Sequence, residues 1–128
     1  MTARRIVVWI LMVLLAVEFA LAGASKLSSS SGWARMFVAW GFPAWFRVAV
    51  GATEIACAVA LFVPRLRAWA CAVLLVVMAG AAVTHLTHGE PRRVILNVAL
   101  SALIALLMGL GRKPSTSRDS RAGNEKGT

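Results

Sequence analysis

Six polar side chains in this sequence lie within or beside long apolar runs, where charged and amide groups are uncommon. They are Glu18, Lys26, Arg47, Glu54, His85 and Asn97. A carboxylate and an imidazole in surroundings of low dielectric constant can exchange protons with a bound molecule. The same groups can instead bond to one another and hold a helix bundle in register. We treat them as candidate pocket residues, with both interpretations open.

Glu54 is the most informative of the six because it lies in the middle of the apolar stretch 46–65. Placing a carboxylate at such a depth in a membrane costs roughly 2.5–3.5 kcal/mol on insertion scales, so it normally faces protein or water. At helical spacings of three and seven it shares a face with Gly51 and Arg47. This face combines charge with a glycine suited to close helix packing. The pattern predicts a polar pocket around Glu54.

Composition indicates a membrane protein. The chain has 128 residues, of which 59% are hydrophobic and only 15% charged. So short a chain cannot bury this much apolar surface in a water-surrounded core. The net charge of +9 comes from cations at the ends of apolar runs and in the C-terminal tail. This distribution is typical of membrane anchoring, so a lipid bilayer is the expected partner and nucleic acid is not.

Four apolar runs are long enough to cross a bilayer as helices, namely 6–25, 46–63, 67–86 and 94–110. We predict an all-α membrane protein: a four-transmembrane-helix bundle within residues 1–111, followed by a disordered basic tail at 112–128. The first run also resembles a signal peptide, with a basic start and Ala20-Leu21-Ala22 as a cleavage site. Lys26, just after it, favours a retained helix.

A short amphipathic helix is predicted between the first two spans. The residues Trp33, Met36, Phe37 and Trp40 follow the spacing i, i+3, i+4, i+7. Such a stripe is typical of a helix in the membrane interface, where tryptophan is favoured. The alternative is an aromatic lid in which Trp33 or Trp40 stacks on a ring-shaped ligand.

The distribution of cations predicts the orientation. Nine Lys and Arg residues fall on one side of the predicted spans and five on the other, which favours both termini in the cytoplasm. Glu18, Glu54, His85 and Asn97 then converge on one outward-opening pocket, with Lys26 and Arg47 at its mouth. For Glu18 the alternative is a carboxylate that extends towards the outer interface.

The two cysteines and two histidines give no clear sign of a redox or metal site. Cys57 and Cys71 lie in apolar surroundings that favour inert packing residues, and a redox pair is the alternative. His85 and His88 are three residues apart on one helix face, but no local cysteine, histidine or carboxylate pair completes a metal site. We therefore predict no metal.

The sequence resembles the DoxX and DoxX-like membrane proteins over residues 21–110. The matching segments are AGASKL at 22–27, GFP at 41–43, GATE at 51–54, PR at 64–65, MAGA at 78–81 with His85, and Asn97. The resemblance implies a four-helix membrane bundle, a bacterial plasma membrane location and an association with thiol and sulfur redox chemistry. Some relatives are quinone-reducing thiosulfate oxidoreductase subunits, some form complexes with a superoxide dismutase and a sulfurtransferase, and others resemble assembly factors. Glu18 is outside the pattern, and the chain has no CxxC motif.

Two functions follow as hypotheses. The first is a redox accessory, in which Glu54, His85 and Asn97 line a quinone or small-thiol site that assists a membrane or redox partner. The second is a non-enzymatic scaffold or assembly factor. A solute transporter is disfavoured by the small number of spans and the lack of an inverted repeat. On its own the chain is not expected to be an enzyme, and quinone is the one cofactor suggested.

Overall fold

The computed structural model describes residues 2–30 and 32–111. This part of the chain forms the helices α1 (Ala3–Leu27), α2 (Gly32–Ala39), α3 (Ala44–Ala60), α4 (Arg67–Thr87) and α5 (Pro91–Gly111). The predicted all-α class is confirmed, and α2 occupies the position predicted for the short helix. The tail predicted at 112–128 lies outside the described residues.

The four long helices pack as an antiparallel bundle. α1 contacts α3 and α5, and α4 contacts the same two helices from the other side. Arg4 Nε donates to the Leu110 carbonyl oxygen at 2.9 Å, so α1 begins where α5 ends. At this same end, the Trp9 ring lies 6.3 Å from the Phe62 ring, just beyond the end of α3. α3 therefore runs the full length of the bundle, back from the end of α1 towards its beginning.

The core between these helices is apolar and well filled. Its buried side chains are contributed by all four long helices and the turn after α3, and include Leu15, Phe19, Leu61, Leu74, Ile104 and Leu107. Cys57 and Cys71 are free thiols within this core. In a membrane, close packing of such side chains rather than their removal from water holds the helices together at the end remote from the polar residues.

The outer surface of the bundle is also apolar. Leu21, Val76 and Ile95 are 64–72% exposed, among many other large aliphatic side chains. Soluble monomers rarely expose continuous apolar surface of this extent, whereas lipid chains can cover it. α1, α4 and α5 are long and apolar enough to cross a membrane. The predicted span 46–63 corresponds to α3, which has 17 residues and carries two charged side chains, so a fourth crossing stays a prediction.

Two glycines allow α1 and α3 to approach closely. A Cβ atom on Gly23 would lie 2.6 Å from the Gly51 carbonyl oxygen, and one on Gly51 would lie 2.7 Å from the Gly23 carbonyl oxygen. These distances are too short for any side chain, so the backbones touch where the two glycines meet. Close approach of this kind is how small residues stabilise helix pairs in membranes. The contact also fixes the rotation and depth of α1 relative to α3.

Gly23→Ala should separate α1 from α3. Overpacking typically costs about 1–3 kcal/mol, and here the clash is with backbone, which cannot move aside like a side chain. We expect a clear fall in the free energy of unfolding, measured by denaturant titration in detergent micelles. Gly109→Ala, where a Cβ meets no atom within 4 Å, is the matched control and should be neutral or slightly stabilising. Equal stability of the two variants would contradict the close contact.

Candidate functional site

Lys26 and Glu54 form a buried ion pair next to the glycine contact. The Lys26 Nζ atom lies 3.0 Å from Glu54 Oε1 and 2.9 Å from Oε2, and the two residues are 7% and 1% exposed. Gly23 precedes Lys26 by three residues, and Gly51 precedes Glu54 by three, so the glycine contact brings the two charged side chains together. Because each charge neutralises the other, both can lie inside the bundle.

Arg47 binds the end of α1 rather than lining the site. Its Nη1 atom donates to the carbonyl oxygens of Lys26 and Ser28, the latter at 3.0 Å. The last carbonyl groups of a helix have no partner within the helix, and a cation there also interacts favourably with the helix dipole. Arg47 is buried, and it therefore holds the backbone that carries Lys26.

A cavity of about 440 Å³ lies beside the ion pair. Its polar lining consists of Lys26, Glu54, Thr84, His85 and Asn97. Five aromatic residues from α2, the following loop and α3 form one wall: Trp33, Phe37, Trp40, Phe42 and Phe46. Val76 of α4 also lines the cavity and is 72% exposed, so the cavity reaches the outer surface of the bundle.

The aromatic wall is one connected cluster. Phe37 is its buried centre, with ring centroids 5.3–6.4 Å from those of Trp33, Trp40, Phe42 and Phe46. The Trp33 ring also lies 4.3 Å from Lys26 Nζ, a cation–π distance. Gly41, with φ +82°, supplies the left-handed turn that brings Phe42 back against Phe37. Three of the four residues of the predicted stripe, Trp33, Phe37 and Trp40, thus line the cavity.

Asn97 lines this cavity and has an unpaired side-chain donor. The residue is 7% exposed, and its Nδ2 atom has no hydrogen-bond partner among the described residues. A buried donor without a partner costs about 1–3 kcal/mol, so such groups are uncommon in folded proteins. An acceptor atom on a bound molecule would remove this cost.

His85 is held by a carboxylate that the sequence analysis did not single out. Its Nδ1 atom lies 2.8 Å from Glu90 Oε2, and its ring makes an edge contact with Trp40 at 5.3 Å between centroids. The signal that could have identified Glu90 is the Gly89-Glu90-Pro91 segment, because glycine ends a helix and proline begins the next. Phe42 and Phe46 were not predicted as part of the cavity either. Phe42 lies in a loop and Phe46 in α3, so no single helical spacing relates them to the residues of α2.

Of the six predicted pocket residues, four line the cavity together: Lys26, Glu54, His85 and Asn97. Arg47 contacts the end of α1 instead. Glu18 is exposed on the outside of the bundle and does not line the cavity. Glu18 is exposed because of the rotation of α1 about its axis. The buried face of α1 carries Leu15, Phe19 and Lys26, and Glu18 lies to one side of that face.

The comparison with protein families found a match that covers the candidate site. A family model described as the DoxX-like family matches residues 10–107, which include all five polar residues of the cavity lining. The chain belongs to the DoxX-like family. With its apolar helices, membership identifies this DoxX-like protein as an integral membrane protein of helical-bundle type. Searches of curated proteins and of solved structures found no match.

Lys26→Met should destabilise the DoxX-like bundle strongly, since it leaves Glu54 buried without its cation. Removing one partner of a buried pair typically costs about 3–5 kcal/mol, and less where the carboxyl group takes up a proton. The double variant Lys26→Met/Glu54→Gln should recover part of the loss, in a double-mutant cycle of unfolding free energies. Arg35→Met, at an exposed cation of α2, is the control and should change stability by less than about 0.5 kcal/mol. Additive losses in the cycle would show that the two side chains act independently.

Proposed function

We propose that the cavity binds a flat, largely apolar molecule with a carbonyl acceptor, of the quinone class. In this role the chain is an accessory membrane subunit in quinone-linked redox chemistry and assists a membrane or redox partner. The observation that carries the proposal is the unpaired side-chain donor of Asn97, a residue that lines a cavity with an aromatic wall. A ring carbonyl is the simplest group that satisfies this donor without adding a charge to the site.

The shape and lining of the cavity suit such a molecule. About 440 Å³ is within the usual range of roughly 300–1,000 Å³ for small-molecule sites, which are mostly apolar with few polar groups. Trp33 and Trp40 offer ring faces or edges to a planar ligand. Since the cavity reaches the apolar outer surface at Val76, a lipid-soluble molecule has a route to it from the bilayer.

The ion pair leaves a second donor for the ligand. An ammonium group has three N–H donors, and the contacts of Lys26 with the two Glu54 oxygens use two of them. In the proposal the third donates to a second carbonyl group of the ligand, beside the Trp33 ring that lies 4.3 Å from Nζ. Cys57 and Cys71 are in the apolar core and are not among the described lining residues, so we assign quinone rather than thiol chemistry to this site.

The proposal includes a bilayer topology with four crossings and both termini in the cytoplasm of a bacterial cell. α3 is about 25 Å long at 1.5 Å per residue, close to the hydrocarbon thickness of about 30 Å. The hydrogen-bonded turn at Leu61, Phe62 and Val63 extends it further. The return of α3 alongside α1 to the Trp9 end supports a crossing by both helices.

A non-enzymatic scaffold is the second candidate, and Glu18 is the observation that favours it. This carboxylate is exposed on the apolar outside of α1, roughly 10 Å along the helix from Ser25. A charge on the outside of a membrane helix normally has a partner. A donor on a helix of another membrane protein would serve this purpose.

The topology can be tested by labelling single cysteines in intact cells with a membrane-impermeant maleimide. Ser29→Cys, in the loop after α1, and His88→Cys, at the end of α4, should both react. Arg65→Cys, in the turn after α3, should react only after the membrane is permeabilised. All three positions are exposed, whereas the native Cys57 and Cys71 are buried, so the parent protein is the control. Equal labelling of Ser29→Cys and Arg65→Cys in intact cells would show that α3 does not cross.

Asn97 should separate ligand binding from folding. Asn97→Leu removes the unpaired donor, so stability should be unchanged or raised, while binding of a water-soluble naphthoquinone should weaken about three- to tenfold, the usual value of one hydrogen bond. Quenching of Trp33 and Trp40 fluorescence measures the binding. Ser101→Ala, one turn further along α5, is the control and should leave it unchanged.

If Asn97→Leu instead lowers stability and leaves quenching unchanged, Asn97 braces the bundle and does not bind the ligand. If the parent protein shows no quenching that saturates, the quinone site is wrong and the scaffold becomes the preferred function.

A further inference from the structure

His85 connects the cavity to the surface of the bundle through Glu90. His85 is 3% exposed and lines the cavity, whereas the Glu90 side chain is 30% exposed. Nδ1 faces Glu90 Oε2 at 2.8 Å, and Nε2 has no hydrogen-bond partner among the described residues. The Nδ1 atom of the imidazole therefore contacts a carboxylate that is partly exposed to water. The Nε2 atom is free to bond to a molecule in the cavity.

The backbone at the end of α4 holds this pair in place. Gly89, with φ +70°, turns the chain so that Glu90 N donates to the His85 carbonyl oxygen at 2.9 Å. Gly89 N donates to the Leu86 carbonyl oxygen, which completes a Schellman motif. Pro91 then begins α5. Glu90 is thus bound to His85 through both its backbone N–H group and its side chain, so the turn at the end of α4 holds the two residues together.

We propose that His85 and Glu90 form a proton-exchange pair that moves protons between a hydroxyl group of the bound ligand and water at the bundle surface. The inference rests on the proposed quinone-class site and adds the path by which its protons enter and leave. It assigns a role to Glu90, which the binding proposal does not use.

The transfer balances without any further reactant. His85 Nε2 accepts a proton from a ring hydroxyl, whose bonding electrons stay on the ligand oxygen as an oxyanion. The resulting imidazolium gives its Nδ1 proton to Glu90, and Glu90 passes it to water. His85 is left with its proton on Nε2, and the starting tautomer returns when Nε2 gives this proton to a ligand oxyanion while Glu90 passes a proton from water back to Nδ1. Protonation of the ligand follows the same steps in reverse.

The other charged groups near His85 are already paired or peripheral. Lys26 of α1 and Glu54 of α3 bind each other, and Arg93 of α5 lies 3.9 Å from Glu90 Oε1. His88, one turn further along α4, is exposed and has Nδ1 2.7 Å from the Thr84 carbonyl oxygen.

The test uses 4-nitrophenol as a ring-hydroxyl probe, because its phenol and phenolate forms absorb at different wavelengths. Bound to the purified full-length protein in mildly acidic buffer, it should show a phenolate band that is absent from free probe. Glu90→Gln should lower the ratio of phenolate to phenol about tenfold or more, since the imidazolium loses its carboxylate. His85→Gln should abolish the band, and His88→Gln, the same change at the neighbouring histidine, should keep it.

The possible failures are distinguishable. If the probe does not bind the parent protein, the ligand site is wrong and the proton path falls with it. If it binds but stays a phenol, or if Glu90→Gln matches the parent protein, the proton path alone is wrong. The pairing with Glu90 can also be tested without a ligand. In His88→Gln protein, where His85 is the remaining histidine, ¹⁵N chemical shifts should show the neutral ring protonated on Nδ1. A predominant Nε2–H tautomer there would overturn the pairing with Glu90.

Discussion

The ion pair between Lys26 and Glu54 is the interaction on which the rest of the structure depends. Each charge would be costly alone in an apolar bundle, and together they are tolerated only at short range and in fixed geometry. The contact between Gly23 and Gly51 supplies that geometry by bringing the two backbones together. Arg47 then binds the carbonyl groups at the end of α1 and keeps Lys26 in position. Close packing, charge pairing and helix capping thus act at one place.

This arrangement divides the bundle into two parts. The end near Trp9 is a filled apolar core, whereas the end near the ion pair contains a cavity that polar and aromatic residues keep open. Leaving Asn97 unpaired in that cavity lowers the stability of the ligand-free protein. A purely structural asparagine would be expected to bond to a neighbouring helix, so the unpaired donor favours binding over bracing. His85, bound on one side to Glu90, gives the same cavity a connection to the surface.

Much of the fold follows from the sequence, because apolar runs of membrane length and their basic flanks are strong signals. The convergence of Glu54, His85 and Asn97 also followed, since depth along a helix can be counted from its ends. Rotation about the helix axis could not be counted in the same way. Glu18 is eight residues before Lys26, which turns it roughly 80° away, and only the glycine contact decides which of the two faces inward. The aromatic wall and Glu90 depend on loop conformations at Gly41 and Gly89 that periodicity does not describe.

The most direct test of the central claim is to determine what the cavity holds in the cell membrane. The protein and its Asn97→Leu variant would be extracted with native lipid in nanodiscs, and bound quinone would be measured by chromatography after solvent extraction, relative to quinone in empty nanodiscs from the same membranes. If the cavity binds quinone, we expect quinone in excess of the lipid background, in an amount similar to that of the protein, and a clear loss of this excess in Asn97→Leu. Quinone at background level in both proteins, or an equal excess in both, would contradict it.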